Sequence, residues 1–257
     1  MNQNQTVIIN ESQLKRIVAE SVKRILMYES QTIANDIDKA YMDAVSRGDM
    51  KTAQRMVIKA AKMAMPNTKV VGKNGNPLVV YHGRSAKFNT FERRKGVRFI
   101  MGLEDEVESE GFFFTPSQDF AWQYASNSSR HRGGRQETIP VFLNIINPLD
   151  LAFTDNFASL YEKVTGYEYM LGMDDITNLW EMMDVEGIAD KIKAKGYDGV
   201  IFAEEKAEDG TVTEYSYCAL YSNQIKSADT VTYDDQGNII PLSERFNLSS
   251  NDIRYEE

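Results

Sequence analysis

The hydrophobic pattern of this chain changes period at Pro66, and this change limits the folds that are open to it. Before Pro66, apolar residues recur every three to four positions, which is the period of an amphipathic helix. After Pro66, short apolar runs are separated by turn residues, which is typical of strands. We therefore predict a small helical module over residues 1–66 and a larger α+β domain with a polar C-terminal tail over residues 67–257.

Three apolar stripes predict three helices in the N-terminal module. The first stripe covers residues 12–29, the second begins near Ile33, and the third ends at Pro66. Gly48 suits the left-handed position that ends a helix, and Asp49 suits the cap that begins the next one. We interpret the stripes as packing surfaces. Docking of these helices in a virion, or self-association of the protein through them, remains an open alternative at this stage.

The second region is predicted to contain several strands and few helices, without the β–α alternation of a doubly wound nucleotide-binding sheet. The run VVYHGR at 79–84 is typical of a strand, and the Asn-Gly pair at 74–75 predicts a hairpin turn before it. The run GFFFTPSQDFAWQYA at 111–125 predicts a strand that leads into a helix. In that helix Thr115 is the predicted N-cap, and Gln118 completes a capping box.

The composition excludes several classes of protein. A net charge of −9 argues against a general DNA-binding protein, because phosphate contacts need clustered Lys and Arg. The basic run SSRHRGGRQE at 128–137 is either a solvated loop or a loop that touches phosphates. The one cysteine, Cys218, lies in an apolar run and is predicted to be a core residue in a reducing compartment. Since no apolar run reaches about 18 residues, we expect a cytoplasmic protein without a membrane segment.

Many standard sites are missing from the sequence. There is no GxGxxG fingerprint, no GxxxxGKS/T phosphate loop, no HExxH motif and no GxSxG elbow. Two histidines, His82 and His131, cannot supply a site with three histidine ligands, so no metal is expected. We interpret the acidic pairs at 174–175 and 204–205 as solvated loop charges.

Three positions remain as candidate site residues. His82 ends a strand, and Gly83 follows it, where a glycine lets a ligand approach the backbone closely. Tyr124 lies on the helix predicted after Thr115 and is either a core residue or a ring that stacks on a flat ligand. Gln224 follows a strand that ends in LYSN. The patterns alone also allow a structural role for each of these residues.

Six segments of the chain, in this order, resemble the ADP-ribosyltransferase-like domain of phage polyvalent proteins. They are VVYHGR…FNTFE, GFFFTPSQDFAWQYA, VFLNIINPLDL, GYDGVIF, YSNQIKSA and IPLSERFN…DIRY. The resemblance runs from about residue 67 to the end of the sequence. The stretch AYMDAVSRGDMKTAQRMVIKAAK resembles the segment that precedes this domain in such proteins. ESQLKRIVAESVKRIL is similar to the N-terminal helix of many proteins from phages of gut Bacteroidetes.

The resemblance implies a split antiparallel β-sheet that grips NAD in a cleft, with a His-Tyr-Glu/Gln triad. It implies that His82 bonds a ribose hydroxyl of NAD and that Gly83 pairs its backbone with the nicotinamide carboxamide. It also implies that Tyr124 stacks on the nicotinamide ring. Gln224 is the best match to the third triad position, and Asn223 and Glu214 are the alternatives.

Further expectations follow from the same resemblance. Arg84 stands where Thr is common after His-Gly and either contacts phosphate or is exposed, and Thr115 is a further candidate for NAD binding. The acidic insert GLEDEVESE at 102–110 either covers the cleft or is a plain loop.

The function implied is that of a phage-encoded, NAD-dependent mono-ADP-ribosyltransferase that modifies a host protein or RNA. It would act in the bacterial cytoplasm, and it is also open that the protein is carried in the virion. An NAD glycohydrolase and a non-catalytic NAD-fold binding module are the alternatives.

Overall fold

The computed structural model describes residues 11–93, 95–100, 103–168 and 176–254. The helices in these stretches are α1 (Glu11–Ser46), α2 (Met50–Ala64), α3 (Gln118–Arg132), α4 (Phe157–Thr165) and α5 (Ile188–Ala194). The strands there are β1 (Val80–Arg84), β2 (Lys95–Ile100), β3 (Leu103–Glu108), β4 (Phe112–Phe114), β5 (Glu137–Leu143), β6 (Pro148–Asp150), β7 (Gly199–Lys206), β8 (Val212–Ala219) and β9 (Ile225–Ser227). Short 3-10 segments cover Ile176–Asp184, Ser222–Gln224 and Leu242–Glu244. Within this described part, no helix combines the length and the apolar character that a bilayer crossing needs.

The described N-terminal region contains two helices, where the sequence predicted three. No glycine or proline interrupts the chain between Glu11 and Ser46, so α1 continues through the predicted break near residue 30. The second junction is as predicted. Gly48 has a φ of +72°, and the Asp49 carboxylate caps α2 by accepting from the N–H of Thr52 at 3.1 Å.

The end of α1 and the whole of α2 share a core with the rest of the chain. Tyr41, Val57 and Met65 are buried in one cluster with Phe142 and Phe246. Residues 41–65 are therefore packed against the α+β part, and the domain boundary at 66/67 stays a prediction.

The first turns of α1 show a different environment. The apolar side chains there are 45–57% exposed: Leu14, Ile17, Val18, Val22 and Ile25. These side chains were predicted to form a packing surface. In the part of the chain that the structure describes, they are exposed to solvent.

Two sheets carry the α+β part, which confirms the predicted α+β class with a split sheet. One is antiparallel, with β5 between β1 and β9, and the other is mixed, in the order β4-β8-β7-β6. Only β6 and β7 run parallel among these strand pairs. The sheets meet where Tyr81 and Thr115 exchange backbone hydrogen bonds of 2.8 and 3.0 Å. This junction joins the free edge of β1 to the end of β4.

Two predicted loops differ from expectation. The Asn-Gly turn forms, with Gly75 at a φ of +69°, but its flanks make one bridge between Val71 and Pro77 rather than paired strands. The acidic insert at 102–110 is not a plain loop, and its alternative role as a cover of the cleft stays a prediction. Most of it is β3, which pairs antiparallel with β2.

Cys218 lies in the main core, as predicted. It is fully buried, and burial raises the pKa of its thiol. A Cβ atom at Gly111 would lie 2.2 Å from the sulfur, so the thiol fits only because residue 111 has no side chain.

Candidate active site

A cleft of about 630 Å³ lies between β1, β4, α3 and the segment 85–93. It contains all five residues that the sequence proposed for NAD binding: His82, Gly83, Arg84, Thr115 and Tyr124. The fold therefore brings these residues together, and their roles toward NAD stay predictions.

His82 is an uncharged side chain in an aromatic environment. Its Nδ1 lies 2.9 Å from the carbonyl oxygen of Phe113, and only a protonated Nδ1 can donate to that oxygen. Burial lowers the pKa of His82 to about 4, partly opposed by this hydrogen bond and assisted by the charge of Arg84. The rings of Phe91 and Phe114 lie 4.9 and 5.5 Å from the imidazole centre. At neutral pH, Nε2 is therefore a hydrogen-bond acceptor.

The backbone of Gly83 faces the open edge of β1. In β5, Pro140 lies opposite Tyr81 and has no N–H, and Tyr81 bonds to Thr115 on its other side instead. Backbone groups alternate in direction along a strand, so the N–H and C=O of Gly83, two residues later, also point away from β5. Gly83 thus presents one donor and one acceptor side by side, the pattern that pairs with a carboxamide.

Gly83 also allows α3 to lie directly on β1. A Cβ atom at this position would be 2.0 Å from the carbonyl oxygen of Ala121 and 2.6 Å from the nitrogen of Ala125. The sequence analysis interpreted this glycine as making room for a ligand. In the structure, the space that a side chain would occupy is filled by the backbone of α3. The close packing holds Tyr124 in the cleft wall with His82.

The start of α3 corrects the predicted capping. Ser117 is the N-cap, and its Oγ accepts from the N–H of Phe120 at 3.1 Å. The prediction of Thr115 was wrong because this residue is held in the bridge with β1, and its Oγ1 accepts from the N–H of Ser117. Gln118 does not complete a capping box, since its Nε2 donates to Thr138 at 3.3 Å.

Tyr124 presents an aromatic face to the cleft. The side chain is 46% exposed, and its ring meets Phe120 edge to face at 5.2 Å. A half-exposed ring in the wall of a cleft is suited to stacking on a flat ligand, so it is not the core residue that the pattern alone allowed.

Arg84 links two parts of the cleft wall through its guanidinium group. It is neither exposed nor available to bind a phosphate group. Its side chain is 12% exposed, and Nε and Nη2 both lie within 2.9 Å of Glu137 Oε2. Nη1 donates to the carbonyl oxygen of Phe88 at 2.8 Å. Arg84 therefore joins β5 to the segment 85–93, which corrects both sequence alternatives.

Gln224 lies away from this cleft and serves the fold. Its Oε1 accepts from the N–H groups of Leu220 and Tyr221 at 3.1 and 3.0 Å. Its Nε2 donates to the carbonyl oxygens of Asn144 and Asp198 at 3.2 and 2.8 Å. The assignment of Gln224 as the third triad residue is therefore corrected, because the buried amide is engaged by four backbone groups.

The two alternatives for the third position also lie elsewhere. Asn223 donates from Nδ2 to the carbonyl oxygen of Leu248 at 2.7 Å. Glu214 faces Glu205 in the ladder between β7 and β8, and neither residue lines the cleft.

Glu204 supplies a carboxylate to the cleft from the end of β7. Its neighbours Ala203 and Glu205 face consecutive residues of β8, so Glu204 is the extra residue of a β-bulge. The side chain lines the cleft, and Ser216 donates from Oγ to Glu204 Oε1. The interpretation of the pair 204–205 as solvated charges is thus corrected for Glu204, while residues 174–175 lie outside the described residues.

The sequence contained one signal for Glu204. Glu204 directly follows residues 199–203, all of which are buried. A carboxylate that continues a buried strand is a candidate site residue. Two further carboxylates line the cleft, Glu92 and Asp184, and the sequence analysis selected neither.

The basic run at 128–137 ends α3 and reaches the cleft through Ser128, Gly133 and Gly134. Arg130 and Arg135 are exposed, and the side chains of residues 131–132 lie outside what the structure describes. Within the described residues, no group of three His, Cys, Asp or Glu side chains is arranged to hold a metal.

Comparison with known proteins identifies the family. The model of a family described as ADP-ribosyltransferase in polyvalent proteins matches residues 72–234. The matched range runs from before β1 to beyond β9, so it contains His82, Tyr124 and Glu204. No curated protein and no solved structure gave a match. The match covers more than half of the chain, and the chain belongs to the family of ADP-ribosyltransferases in polyvalent proteins.

Proposed function

We propose that this protein transfers ADP-ribose from NAD to a macromolecular acceptor. The observation that carries the proposal is the joint placement of four features in one cleft: neutral His82, the open backbone edge at Gly83, the exposed ring of Tyr124, and the Glu204 carboxylate. The volume of about 630 Å³ is in the range of small-molecule sites.

Three of these features suit the nicotinamide end of NAD. Gly83 would pair its N–H and C=O with the carboxamide, and Tyr124 would stack on the pyridinium ring. Nε2 of His82 would accept a hydrogen bond from a ribose hydroxyl. Together they would fix the ring and the sugar relative to each other, which lowers the entropic part of the barrier.

Glu204 suits the bond-breaking step. The bond between C1′ and the nicotinamide nitrogen breaks, and its electron pair leaves with nicotinamide. The ribose becomes oxocarbenium-like, and a carboxylate beside it stabilises the positive charge as it grows. A lone pair of the acceptor then bonds to C1′ on the opposite face, and the acceptor proton passes to Glu204 or to water.

The setting is also part of the proposal. The resemblance of α1 to phage proteins supports a phage-encoded enzyme whose acceptor is a host protein or RNA. Such an enzyme would act in the cytoplasm of the bacterial host, either made there or delivered with the virion.

Labelled NAD and bacterial extract test the activity. Label on a macromolecule together with free nicotinamide is the result expected of a transferase, and protease or ribonuclease treatment then identifies the acceptor class. Nicotinamide without labelled product would indicate an NAD glycohydrolase instead. NAD binding with neither product would indicate a binding module.

Glu204→Gln tests the assignment of the carboxylate. It should lower nicotinamide release by roughly 100-fold or more while the affinity for NAD changes little, because the charge matters mainly in the transition state. Glu205→Gln is the matched control, since Glu205 is the adjacent exposed carboxylate of the same strand. Equal rates for the two variants would contradict the role given to Glu204.

A further inference from the structure

Residues 250–254, here called the C-terminal strap, lie beyond the segment that the family model matches and pack against the segment 85–93. The N–H of Ser227 in β9 donates to the carbonyl oxygen of Ile253 at 2.7 Å. The N–H of Ile253 in turn donates to the carbonyl oxygen of Asn89 at 2.8 Å. The strap therefore connects the edge of β9 to the segment 85–93, which lines the cleft.

A buried lysine anchors the strap. Lys226 is 0% exposed, and its Nζ donates to the carbonyl oxygens of Ser250 and Asp252 at 2.7 and 2.9 Å. Burial lowers the pKa of Lys226 to about 8, and the charge of Asp252 opposes this shift. A buried ammonium is costly unless its donors are used, and both acceptors named here belong to the strap.

An arginine closes the strap from its other end. Arg254 donates from Nε and Nη2 to the two carboxylate oxygens of Asp252 at 3.1 and 2.9 Å, and from Nη1 to Asp235 at 2.8 Å. Asp252, which Arg254 holds in this way, is 6% exposed and forms a β-bridge with Thr90 in the segment 85–93.

The segment 85–93, which the strap contacts, carries two of the aromatic rings that surround His82. The ring of Phe91 lies 4.9 Å from the imidazole, and that of Phe88 lies 6.2 Å from it. Asn89 and Thr90, which the strap bonds, lie between these two aromatic residues in the chain. A shift of the strap would therefore move both rings relative to the imidazole.

We propose that Lys226 and Arg254 are positioning residues of the cleft, which act through the strap and the ring of Phe91 on His82. NAD as the ligand of this cleft rests on the proposed function. The environment of the imidazole does not, and it can be measured without any ligand.

The test follows the His82 imidazole by NMR through a pH titration. A His131→Asn background leaves one histidine signal, because the chain has two histidines. In that background the imidazole should stay neutral down to about pH 4. In Arg254→Gln and Lys226→Met the pKa of His82 should rise by about one unit toward its ordinary value, because looser packing of Phe88 and Phe91 admits water to the imidazole. NAD affinity should fall by about threefold to tenfold. Arg55→Gln is the matched control, since Arg55 is exposed on α2 and donates to Thr52 in the same helix.

Several outcomes decide the proposal. It is overturned if a folded Arg254→Gln variant keeps both the imidazole titration and the NAD affinity of its parent, since the strap would then only stabilise the fold. If either variant fails to fold, the other decides, and Asp235→Asn removes the more exposed partner of Arg254 as a milder change. If the parent protein does not bind NAD, the proposed function fails and the titration alone decides the role of the strap.

Discussion

Gly83→Ala should separate α3 from β1 and thereby disturb the cleft with the smallest available substitution. The added methyl group would lie 2.0 Å from one backbone atom of α3 and 2.6 Å from another, whereas ordinary contacts begin at 3.4 Å. Neither atom belongs to a side chain that can rotate away, so the helix backbone must retreat by about 1 Å or more. Overpacking of this kind lowers the free energy of unfolding by about 1–3 kcal/mol, and backbone contacts place this variant at the upper end.

The same displacement should affect the reaction more than the fold. Tyr124 moves with α3, whereas His82 stays on β1, so their relative placement changes. A misplacement of about 1 Å lowers a rate by roughly 100-fold when the reaction depends on orientation. Denaturant unfolding would measure the stability, and nicotinamide release from NAD would measure the rate.

Gly72→Ala provides the control for this experiment. An added Cβ at residue 72 meets its nearest atom at 3.5 Å, and the backbone there is not left-handed. Its stability should stay within about 0.5 kcal/mol of the unsubstituted protein. If Gly83→Ala matches the unsubstituted protein in both assays, then α3 does not pack directly on β1, and the reasoning from this contact fails.

Four further predictions concern other parts of the chain. Gln224→Glu sets a carboxylate against the two carbonyl oxygens that Nε2 now serves, so denaturant unfolding should show a loss of about 1–3 kcal/mol per unsatisfied group. Because the pKa of His82 is lowered from 6.5 to about 4, its contribution to stability should be complete above pH 6.5 and lost as the pH falls to 4. This loss should reach at most about 3 kcal/mol and disappear in His82→Asn. Tyr124→Ala should weaken NAD binding about tenfold by calorimetry, and Tyr124→Phe should not, if stacking is the role of the ring. Deletion of residues 1–30 should leave NAD affinity within about threefold, since the stripe on α1 is exposed, and a larger loss would contradict the separation of this helix from the cleft.

The sequence could predict the parts of the fold that depend on local pattern. The change of period at Pro66, the junction at Gly48 and Asp49, and the burial of Cys218 follow from spacing and residue type. These signals survive because helix capping and hydrophobic burial act over a few neighbouring residues. The length of α1 was not predicted. The residues near position 30 are polar, but polar residues alone do not end a helix when no glycine or proline interrupts the helical backbone.

The candidate site depended on contacts between distant parts of the chain. His82 was selected as the predicted end of a strand and Tyr124 as a residue within the predicted helix, and the resemblance joined them, although β1 continues to Arg84. Gln224 was assigned wrongly because the two carbonyl oxygens that its Nε2 serves, those of Asn144 and Asp198, lie far away in the sequence, and only its Oε1 is engaged by neighbouring residues. Glu204 was missed because the bulge that carries it changes the pairing of a strand without changing its apolar pattern.

The buried thiol of Cys218 makes the protein convenient for site-specific labelling. The thiolate is the reactive form of cysteine, and both burial and the raised pKa of this thiol suppress it. No other cysteine occurs in the sequence. A cysteine introduced at Trp122, which is 48% exposed on α3, would therefore be the one thiol that a maleimide dye can reach in the native protein. Residue 122 does not line the cleft, whereas Ala121 and Tyr124 of the same helix do. A dye at residue 122 would therefore report on movement of α3 without filling the cleft and without prior removal of the natural cysteine.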